Sequence, residues 1–266
     1  MRPFLTGRVV LVTGASKGLG AGTARVMARA GAFVIATARD RDRLYSVVEG
    51  IQAEGAQGLA ISADLAKDAE VADLVSQSVN AAGRIDVLIN IAGSAEAIGT
   101  KVWETPPEVW QRLCATNLTG TLNLLRHAIP VMQAQYEGRL LFLSSPATFR
   151  PQPETGAYAA TKAGVNQIVQ TLAMELQGSG ITANIFNPGP IDTPLYGQIS
   201  GVLSRNAPGP VPAAQGRPPE LAAQLLLWLC SPETQGLSGE FIQWDNPNTL
   251  AAMEDFRQTH RIGHTD

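Results

Sequence analysis

The sequence predicts a single α/β domain, built as a doubly wound parallel sheet of seven strands with helices on both faces. Short β-branched runs alternate along the chain with longer helical patterns, as in a parallel sheet whose strands are joined by helices. The runs are almost entirely apolar and do not alternate, which is expected when helices cover both faces of a sheet. Because crossovers between parallel strands are right-handed, a doubly wound arrangement is the expected fold.

The seven strands are predicted in chain order at residues 9–13, 33–37, 58–62, 87–90, 140–144, 183–186 and 241–244. Helical patterns fill the intervals between them, with one exception. Residues 188–219 are rich in proline and glycine, and long irregular segments of this kind tend to form lids or binding loops. We expect a lid at about residues 190–218, with a domain linker as the alternative. The domain is expected to span residues 1–245, followed by a C-terminal tail at 246–266.

The composition favours small-molecule partners. The chain has 266 residues, 45% of them hydrophobic and 16% charged, and its 20 basic and 23 acidic residues give a net charge of -3. This balance shows no sign of a nucleic-acid or anionic-membrane surface. The longest apolar runs are too short to span a membrane, and the N-terminus has no signal-peptide pattern. The two cysteines, Cys114 and Cys230, lie far apart and favour reduced thiols, so we expect a cytoplasmic protein.

A glycine-rich loop follows the first predicted strand and leads into an apolar helix. Gly14 permits a tight turn, Gly18 lets the backbone approach a pyrophosphate, and Gly20 allows close packing of helix on strand. The N-terminus of the helix presents free N–H groups to an anion. The alternative is an ordinary strand-to-helix turn, but three glycines in seven residues after a buried strand favour a dinucleotide site.

Tyr158 and Lys162 stand four residues apart in an apolar helical pattern, so they share one helix face and can act on one atom. The pKa of a free phenol is about 10, and a neighbouring cation favours the phenolate and lowers that pKa. The pair is therefore a candidate for general acid-base chemistry. Taken alone, however, this spacing is also typical of two side chains that pair on the surface of a helix.

The Gly-x-x-x-Gly-x-Gly spacing of the loop and several further elements resemble the short-chain dehydrogenase/reductase superfamily, in its single-domain branch. Ser145 precedes Tyr158 by 13 residues and follows Asn117 by 28, as the family pattern requires. The resemblance covers about residues 5–245 and implies a Rossmann fold. The other matching elements are Asn90-Ile91-Ala92-Gly93, the Thr-Asn-Leu-Thr-Gly around Asn117, Ser144-Ser145, and Asn187 to Thr193.

The resemblance implies a catalytic tetrad of Asn117, Ser145, Tyr158 and Lys162 that moves a hydride between a nicotinamide and a ketone or secondary alcohol. Ser145 would stabilise the charge that develops on the oxygen, and Tyr158 would donate the proton that completes the alcohol. Lys162 would lower the pKa of Tyr158 and hold the nicotinamide ribose, while Asn117 would anchor a water that returns protons. A turn-capping hydroxyl for Ser145 and a satisfied core amide for Asn117 are the structural alternatives.

The resemblance also implies which residues bind the cofactor. Asp64 and Leu65 would flank the adenine, Thr193 would bond the nicotinamide carboxamide, and Asp64 could instead cap a helix. The full set is Gly14, Ser16, Lys17, Gly18, Leu19, Gly20, Arg39, Asp64, Leu65, Asn90, Ala92, Gly93, Tyr158, Lys162, Pro188, Gly189, Ile191 and Thr193.

The tip of the second strand selects between NADP(H) and NAD(H). An acidic residue there binds the ribose 2′-hydroxyl of NAD, whereas an arginine accommodates a 2′-phosphate. Ala38 occupies the position of the selecting carboxylate and Arg39 follows it, while Lys17 adds a second positive charge. We therefore favour NADP(H). Asp40 keeps NAD(H) possible, since a shift of two residues would place its carboxylate at that position.

The substrate is expected to be a hydrophobic or aromatic carbonyl compound or alcohol. The expected lid carries the apolar side chains Tyr196, Ile199, Val202 and Leu203. Pro146 and Phe149 lie between Ser145 and Tyr158 in the sequence. Packing of the lid without substrate contact is the alternative. The resemblance implies a homotetramer, or a homodimer, paired through the helices that carry Asn117 and Tyr158 and through the last strand.

The chain departs from the family pattern in three places. Ile91 replaces a second asparagine, Pro146 follows Ser145 and restricts it to extended geometry, and the tail lacks the glycine-rich ending of fatty-acid ketoreductases. The last departure weakens 3-oxoacyl-thioester reduction on a carrier protein, which stays as an alternative, as does a non-catalytic nucleotide sensor or scaffold. His260 and His264 have a spacing that could hold a metal on a helix, but with no third ligand fixed nearby we predict no metal site.

Overall fold

A computed structural model describes residues 4–206 and 216–260, except for the side chain of Leu203. Seven parallel strands form one sheet in the order β3-β2-β1-β4-β5-β6-β7, which confirms the doubly wound fold. The strands are β1 Val9–Thr13, β2 Phe33–Ala38, β3 Gly58–Ser62, β4 Val87–Asn90, β5 Gly138–Leu143, β6 Ile181–Asn187 and β7 Phe241–Gln243.

The fifth and sixth strands begin two residues earlier than the sequence pattern predicts. Gly138 pairs with Ile181 and Arg139 with Thr182, so the hydrogen-bond ladder starts before the apolar run does. Arg139 can occupy a strand because its guanidinium donates to the carbonyl oxygens of Leu229 and Ser231. Backbone pairing with a neighbour, which a local pattern does not contain, sets these ends.

Nine α-helices connect or flank the strands in the described residues. They are α1 Gly18–Arg29, α2 Arg41–Ala53, α3 Asp68–Ala82, α4 Pro107–Cys114, α5 Gly120–Gln135, α6 Gly156–Glu175, α7 Pro194–Asn206, α8 Pro219–Leu229 and α9 Pro247–His260. Proline at the start of α4 and α8 suits a position where no N–H is needed, and left-handed Gly83 ends α3. Helix α7 lies within the segment expected to be a lid.

The helices cover the two faces of the sheet. Side chains of Val10 and Val12 pack with α1, α2 and α8, whereas those of Val9 and Leu11 pack with α3, α5 and α6. Alternate residues of one strand thus point to opposite faces and are all buried, as the unbroken apolar runs predict. The loops at the carboxyl ends of the strands are left free to form a site.

The C-terminal segment, expected to be a tail, contains helix α9. Its Met253 and Phe256 are buried in the same core as α8, and the ring of Phe256 meets Phe4 edge to face at 5.5 Å. His260 extends this aromatic group and places Nε2 2.8 Å from Oε1 of Glu233. The other half of the histidine pair, His264, lies outside the described residues.

In the part of the chain that is described, no helix combines the length and the apolar character needed to cross a bilayer. Cys114 and Cys230 are both free thiols. Burial raises the pKa of Cys230 to about 12, with nearby Arg139 partly opposing that shift, so this thiol stays protonated at neutral pH.

Candidate active site

The glycine loop lies at the switch point of the sheet, where β1 is flanked by β2 on one side and by β4 on the other. Gly14 has a φ of +66°, and a Cβ on it would lie 2.9 Å from the backbone nitrogen of Ala92. A Cβ on Gly20 would overlap the carbonyl group of Gly14. The loop can therefore fold back on itself and against the end of β4 only with glycine at both positions.

A cavity of about 420 Å³ lies along this loop. Thirteen of the residues expected to bind the cofactor line it, at the loop, at Arg39 and at the ends of β3, β4 and β6. These are Gly14, Ser16, Lys17, Gly18, Leu19, Gly20, Arg39, Asp64, Leu65, Ala92, Gly93, Ile191 and Thr193. Its other lining residues are Thr37, Ala38, Asp40, Ala63, Ile91, Thr116, Leu143, Pro194 and Leu195. We call it the dinucleotide cavity.

Asn90 does not line the dinucleotide cavity, contrary to the sequence expectation. Its side chain is buried, where Oδ1 accepts a 2.6 Å hydrogen bond from Oγ1 of Thr13 and Nδ2 donates to Thr121. The Thr13 oxygen in turn accepts from the backbone nitrogens of Ile91 and Ala92 at 3.1 and 3.0 Å. Asn90 therefore lies outside the cavity and supports its wall through the hydrogen bonds of Thr13.

At the end of β2 the carboxylate of Asp40 is engaged locally. It caps α2 by accepting from the backbone nitrogen of Arg43 at 3.2 Å, and it pairs with the Arg43 guanidinium at 3.4 Å. Lys17 and Arg39 also line the dinucleotide cavity. Asp64 does not cap α3, whose N-cap is Lys67; its carboxylate instead accepts from Ala66 in a short turn.

A second cavity, of about 370 Å³, lies between β5, the start of α6 and helix α7; we call it the substrate cavity. Its lining is mostly apolar, and Arg150 is the single charged side chain among the described residues that form it. Pro146, Tyr196 and Ile199 line it as expected, and so do Pro188 and Gly189, which were assigned to the cofactor. The side chain of Leu203 lies outside the described residues.

Phe149 is not part of this lining. It directly follows a 3-10 turn at Pro146–Thr148. There its ring meets Phe241 of β7 edge to face, with the centroids 5.4 Å apart. The substrate cavity is lined by Pro146 and Ala147 instead.

The two cavities adjoin. Leu143, Ile191, Thr193 and Leu195 line both of them and form a shared wall. Leu143 ends β5, and the other three belong to the segment between β6 and α7 or to the first turn of α7. A ligand in one cavity therefore lies next to a ligand in the other.

Ser145 and Tyr158 meet at the substrate cavity. Both side chains line it, and the Ser145 oxygen accepts from the backbone nitrogen of Ala147 at 3.3 Å. Tyr158 is 5% exposed. Burial raises the pKa of Tyr158 to about 12, and the nearby Ser145 hydroxyl partly opposes that shift. Lys162 is not among the causes of the shift, so the lowering of this pKa expected from Lys162 is not seen.

Lys162 lies one turn further along α6 and is 4% exposed. Its Nζ donates to the carbonyl oxygen of Leu143 at 3.0 Å, at the shared wall. A Cβ built on Gly93 would lie 3.4 Å from this nitrogen, so the ammonium reaches the edge of the dinucleotide cavity. Burial lowers the pKa of Lys162 to about 8, which leaves the ammonium largely charged at neutral pH.

Asn117 lies in a π-helical turn, Ala115–Thr119, that joins α4 to α5. Its Oδ1 accepts from the backbone nitrogen of Ser94 at 2.7 Å, and its Nδ2 donates to the Ser94 carbonyl at 3.0 Å and to Oγ1 of Thr161 at 2.9 Å. The amide thus ties the residue after Gly93 to the residue before Lys162. Both polar atoms of the side-chain amide are therefore hydrogen-bonded.

The sequence interpretation missed several residues that line the dinucleotide cavity, among them Thr37, Ile91 and Thr116. Two of these lie at or next to the carboxyl end of a strand already implicated. Parallel strands present these ends at one edge of the sheet, so taking every strand end as a candidate would have found Thr37 and Ile91. Thr116 carries no such signal, because the π-helical turn brings it to the cavity.

The fold and the two adjoining cavities are those of a dinucleotide-binding enzyme, with the buried Tyr158 in the cavity next to the dinucleotide cavity. The family model described as short chain dehydrogenase matches residues 8–201. The chain belongs to the short-chain dehydrogenase family and is an oxidoreductase of the NAD(P)-dependent type.

Two relatives align over nearly their whole length. The 3-oxoacyl-[acyl-carrier-protein] reductase of Thermotoga maritima is 33% identical over 244 residues, which cover 91% of this chain and 97% of the relative. An uncharacterized NAD-dependent oxidoreductase of Mycobacterium tuberculosis is 32% identical over 266 residues, covering 91% and 95%. Among solved structures, a single-substitution variant of the actinorhodin polyketide ketoreductase with NADPH superposes with a TM-score of 0.81 at 26% identity, covering 89% of this chain and 95% of that one.

Proposed function

We propose that the protein is an NADP(H)-dependent carbonyl reductase that uses Tyr158 as its general acid. The observation that carries the proposal is that Ser145 and Tyr158 line the substrate cavity together. On the same helix Lys162 reaches the edge of the dinucleotide cavity. The three side chains connect the space for a carbonyl compound to the space for a dinucleotide.

The residues of the dinucleotide cavity suit a nicotinamide dinucleotide. The start of α1 and the glycine loop would hold the pyrophosphate, Asp64 and Leu65 the adenine, and Ile191 and Thr193 the nicotinamide end. The bound dinucleotide supplies a hydride for reduction or accepts one for oxidation. All other steps fall to side chains of this chain.

Tyr158 donates the proton in the reduction. With its pKa raised to about 12, the phenol is protonated at neutral pH and ready to give its proton as the carbonyl oxygen gains charge. Ser145 donates a hydrogen bond to the same oxygen and stabilises that charge. Lys162, with its ammonium one helical turn away, stabilises the phenolate that remains, and a water anchored near Asn117 returns the proton.

The charges at the end of β2 support a preference for NADP(H). Arg39, which follows β2, and Lys17, which precedes α1, both line the dinucleotide cavity, and Asp40 has its carboxylate engaged with Arg43. A 2′-phosphate would meet two cations, whereas the ribose hydroxyl of NAD would find the nearby carboxylate already paired. The NADPH complex of the polyketide ketoreductase agrees with this preference; the NAD-dependent mycobacterial relative keeps NAD(H) as the alternative.

The apolar lining of the substrate cavity supports a hydrophobic or aromatic ketone. Leu195, Tyr196 and Ile199 of α7 form one side of it. A cavity of about 370 Å³ is at the lower end of the range that small-molecule sites occupy, roughly 300–1,000 Å³. The second candidate is a 3-oxoacyl thioester, which the Thermotoga maritima relative favours.

Tyr158→Phe tests the mechanism. We expect consumption of NADPH with a panel of ketones to fall by about 10²–10⁴-fold, the range typical of lost general acid catalysis. Tyr136→Phe is the matched control, since Tyr136 is 82% exposed and lines neither cavity. Turnover unaffected by the change at Tyr158 would contradict the mechanism.

The substrate panel separates the candidate functions. Turnover of free ketones with little activity on acyl thioesters supports the carbonyl reductase, and the reverse order supports the 3-oxoacyl reductase. Tight NADPH binding without turnover of any carbonyl would favour the non-catalytic sensor.

We also infer that the protein self-associates in the cytoplasm. Trp110 on α4 and Leu122 on α5 expose 40% and 48% of their surface, so the helices on either side of Asn117 carry uncovered apolar side chains. Light scattering on the purified chain distinguishes a dimer or tetramer from a monomer, which would refute the inference.

A further inference from the structure

Arg217 lies just before α8 and takes no part in the chemistry described above. Its guanidinium lies over the indole of Trp244, 3.5 Å from the ring centroid. One of its terminal nitrogens donates a hydrogen bond to the carbonyl oxygen of Pro188. A half-buried cation thus joins the segment after β6 to the end of β7.

The main chain of Arg217 holds the same segment. Its nitrogen donates to the carbonyl oxygen of Pro190 at 3.0 Å, and its carbonyl oxygen accepts from the nitrogen of Asp192 at 2.9 Å. Ile191 and Arg217 thereby form an isolated parallel bridge. Residues 188–193 are fixed from one side by both the backbone and the side chain of Arg217.

Trp244 also contacts this segment. Gly189 has a φ of +75°, and a Cβ on it would overlap the indole of Trp244. The ring therefore packs directly on the backbone of the segment. Only glycine combines this conformation with so close an approach.

Arg217 keeps its charge in a half-buried site. Burial lowers the pKa of Arg217 to about 10, with attraction from Asp245 partly opposing that, so the group keeps its charge at neutral pH. Its Nε is buried without a hydrogen-bond partner, and no ion pair joins Arg217 to a carboxylate in the described residues. The cation is held mainly by an aromatic face and a carbonyl oxygen.

We propose that Arg217 and Trp244 form a clamp that positions residues 188–193, and with them Ile191 and Thr193 of the shared wall, for the nicotinamide end of the cofactor. Both are positioning residues, since neither lines the dinucleotide cavity or the substrate cavity. The inference rests on the proposed function only in assigning a nicotinamide dinucleotide to the dinucleotide cavity. It makes cofactor affinity depend on two side chains outside the binding surface.

Arg217→Met tests the clamp by removing the charge and keeping much of the side-chain volume. We expect the Kd for NADPH, measured by calorimetry, to rise at least tenfold while the thermal unfolding midpoint changes little. Arg217→Lys should recover part of the affinity, because an ammonium can still bond the Pro188 carbonyl but stacks less well. Arg25→Met is the matched control, since Arg25 forms an ion pair with Glu220 of α8 and lines neither the dinucleotide cavity nor the substrate cavity.

Trp244→Phe gives a second, independent measurement that does not depend on the Arg217 variants folding. The fluorescence of the wild-type protein minus that of Trp244→Phe isolates the emission of this indole. We expect that difference spectrum to change on addition of NADPH, and the variant to bind NADPH several-fold more weakly. A purely structural role would lower the unfolding midpoint and leave both the Kd and the difference spectrum unchanged.

Outcomes for the clamp and for the proposed function can be told apart. A Kd for NADPH within twofold of wild type in both Arg217→Met and Trp244→Phe overturns the clamp, whether or not ketones are reduced. Loss of affinity in these variants supports it even if no carbonyl substrate is found. Wild-type protein that binds neither NADPH nor NADH would overturn both.

Discussion

At the scale of single residues, burial governs the chemistry of the Tyr158 and Lys162 pair. It raises the pKa of the phenol to about 12 and lowers that of the ammonium to about 8. The sequence predicted the pair and its spacing to Ser145, because both can be read directly from the order of the residues. It could not predict the direction of the Tyr158 shift, which depends on how many side chains from other elements exclude water from α6.

The pKa of Lys162 predicts a pH dependence. The ammonium is charged below about pH 8 and is lost as the pH rises through that value, while Tyr158 stays protonated up to about pH 12. We therefore expect kcat/KM for ketone reduction to be flat near pH 6–7 and to fall above pH 8, approaching about tenfold per unit. A steady-state profile that stays flat or rises up to pH 10 would contradict this assignment.

Arg39→Ala tests the cofactor preference. Removing a charge-assisted contact to a 2′-phosphate should weaken NADPH binding by about 10–100-fold, corresponding to about 1.5–3 kcal/mol. NADH binding should change by no more than about twofold, because it carries no such phosphate. Arg41→Ala is the control, as Arg41 lies over Tyr45 on α2 and outside the cavity. Equal losses of affinity for NADPH and NADH would show that Arg39 does not bind the 2′-phosphate.

At the scale of elements, the sequence predicted what its local pattern contains. The four strands β1 to β4 and the glycine loop begin and end within one residue of the prediction, since an apolar run or a turn residue marks their ends. Contacts from distant elements decided the rest. The ladder between Gly138 and Ile181 lengthened two strands, and the ring of Phe149 packs on Phe241 of β7 and does not line the substrate cavity.

Gly20→Ala tests the packing of the glycine loop. The added Cβ would overlap the carbonyl of Gly14, so we expect a loss of about 1–3 kcal/mol in the free energy of unfolding, and weaker NADPH binding. Gly50→Ala in α2 is the matched control, because a Cβ there meets nothing within 4 Å. That change should stabilise the protein by about 0.5–1 kcal/mol in urea titrations. Similar effects from the two substitutions would refute the packing argument.

At the scale of the whole molecule, α9 completes the core. Every residue of α8 from Ala222 to Leu229 is buried, which requires cover beyond the sheet and α1. Helix α9 supplies some of it with Met253 and Phe256 and turns Glu254 and Asp255 to solvent. The sequence did not predict this helix, because it contains few apolar residues. Those residues are buried only through contacts with Phe4 and α8, which are distant in the sequence.

Phe256→Ala measures that contribution. Removing a buried ring that packs on Phe4 should lower the free energy of unfolding by about 3–5 kcal/mol. Glu254→Ala, an exposed change on the same helix, should stay within about 0.5 kcal/mol. A small loss at Phe256, measured in urea, would mean that α9 lies on the core without stabilising it.

The shared wall limits how this enzyme can be redesigned. Leu143, Ile191, Thr193 and Leu195 each face both cavities, so a substitution at any of them alters the surroundings of cofactor and substrate together. Tyr196 and Ile199 face the substrate cavity alone, whereas Arg39 and Lys17 face the dinucleotide cavity alone. Libraries aimed at new ketones should begin at Tyr196 and Ile199, and changes of cofactor at Arg39 and Lys17, since at these positions one affinity can be altered with the least effect on the other.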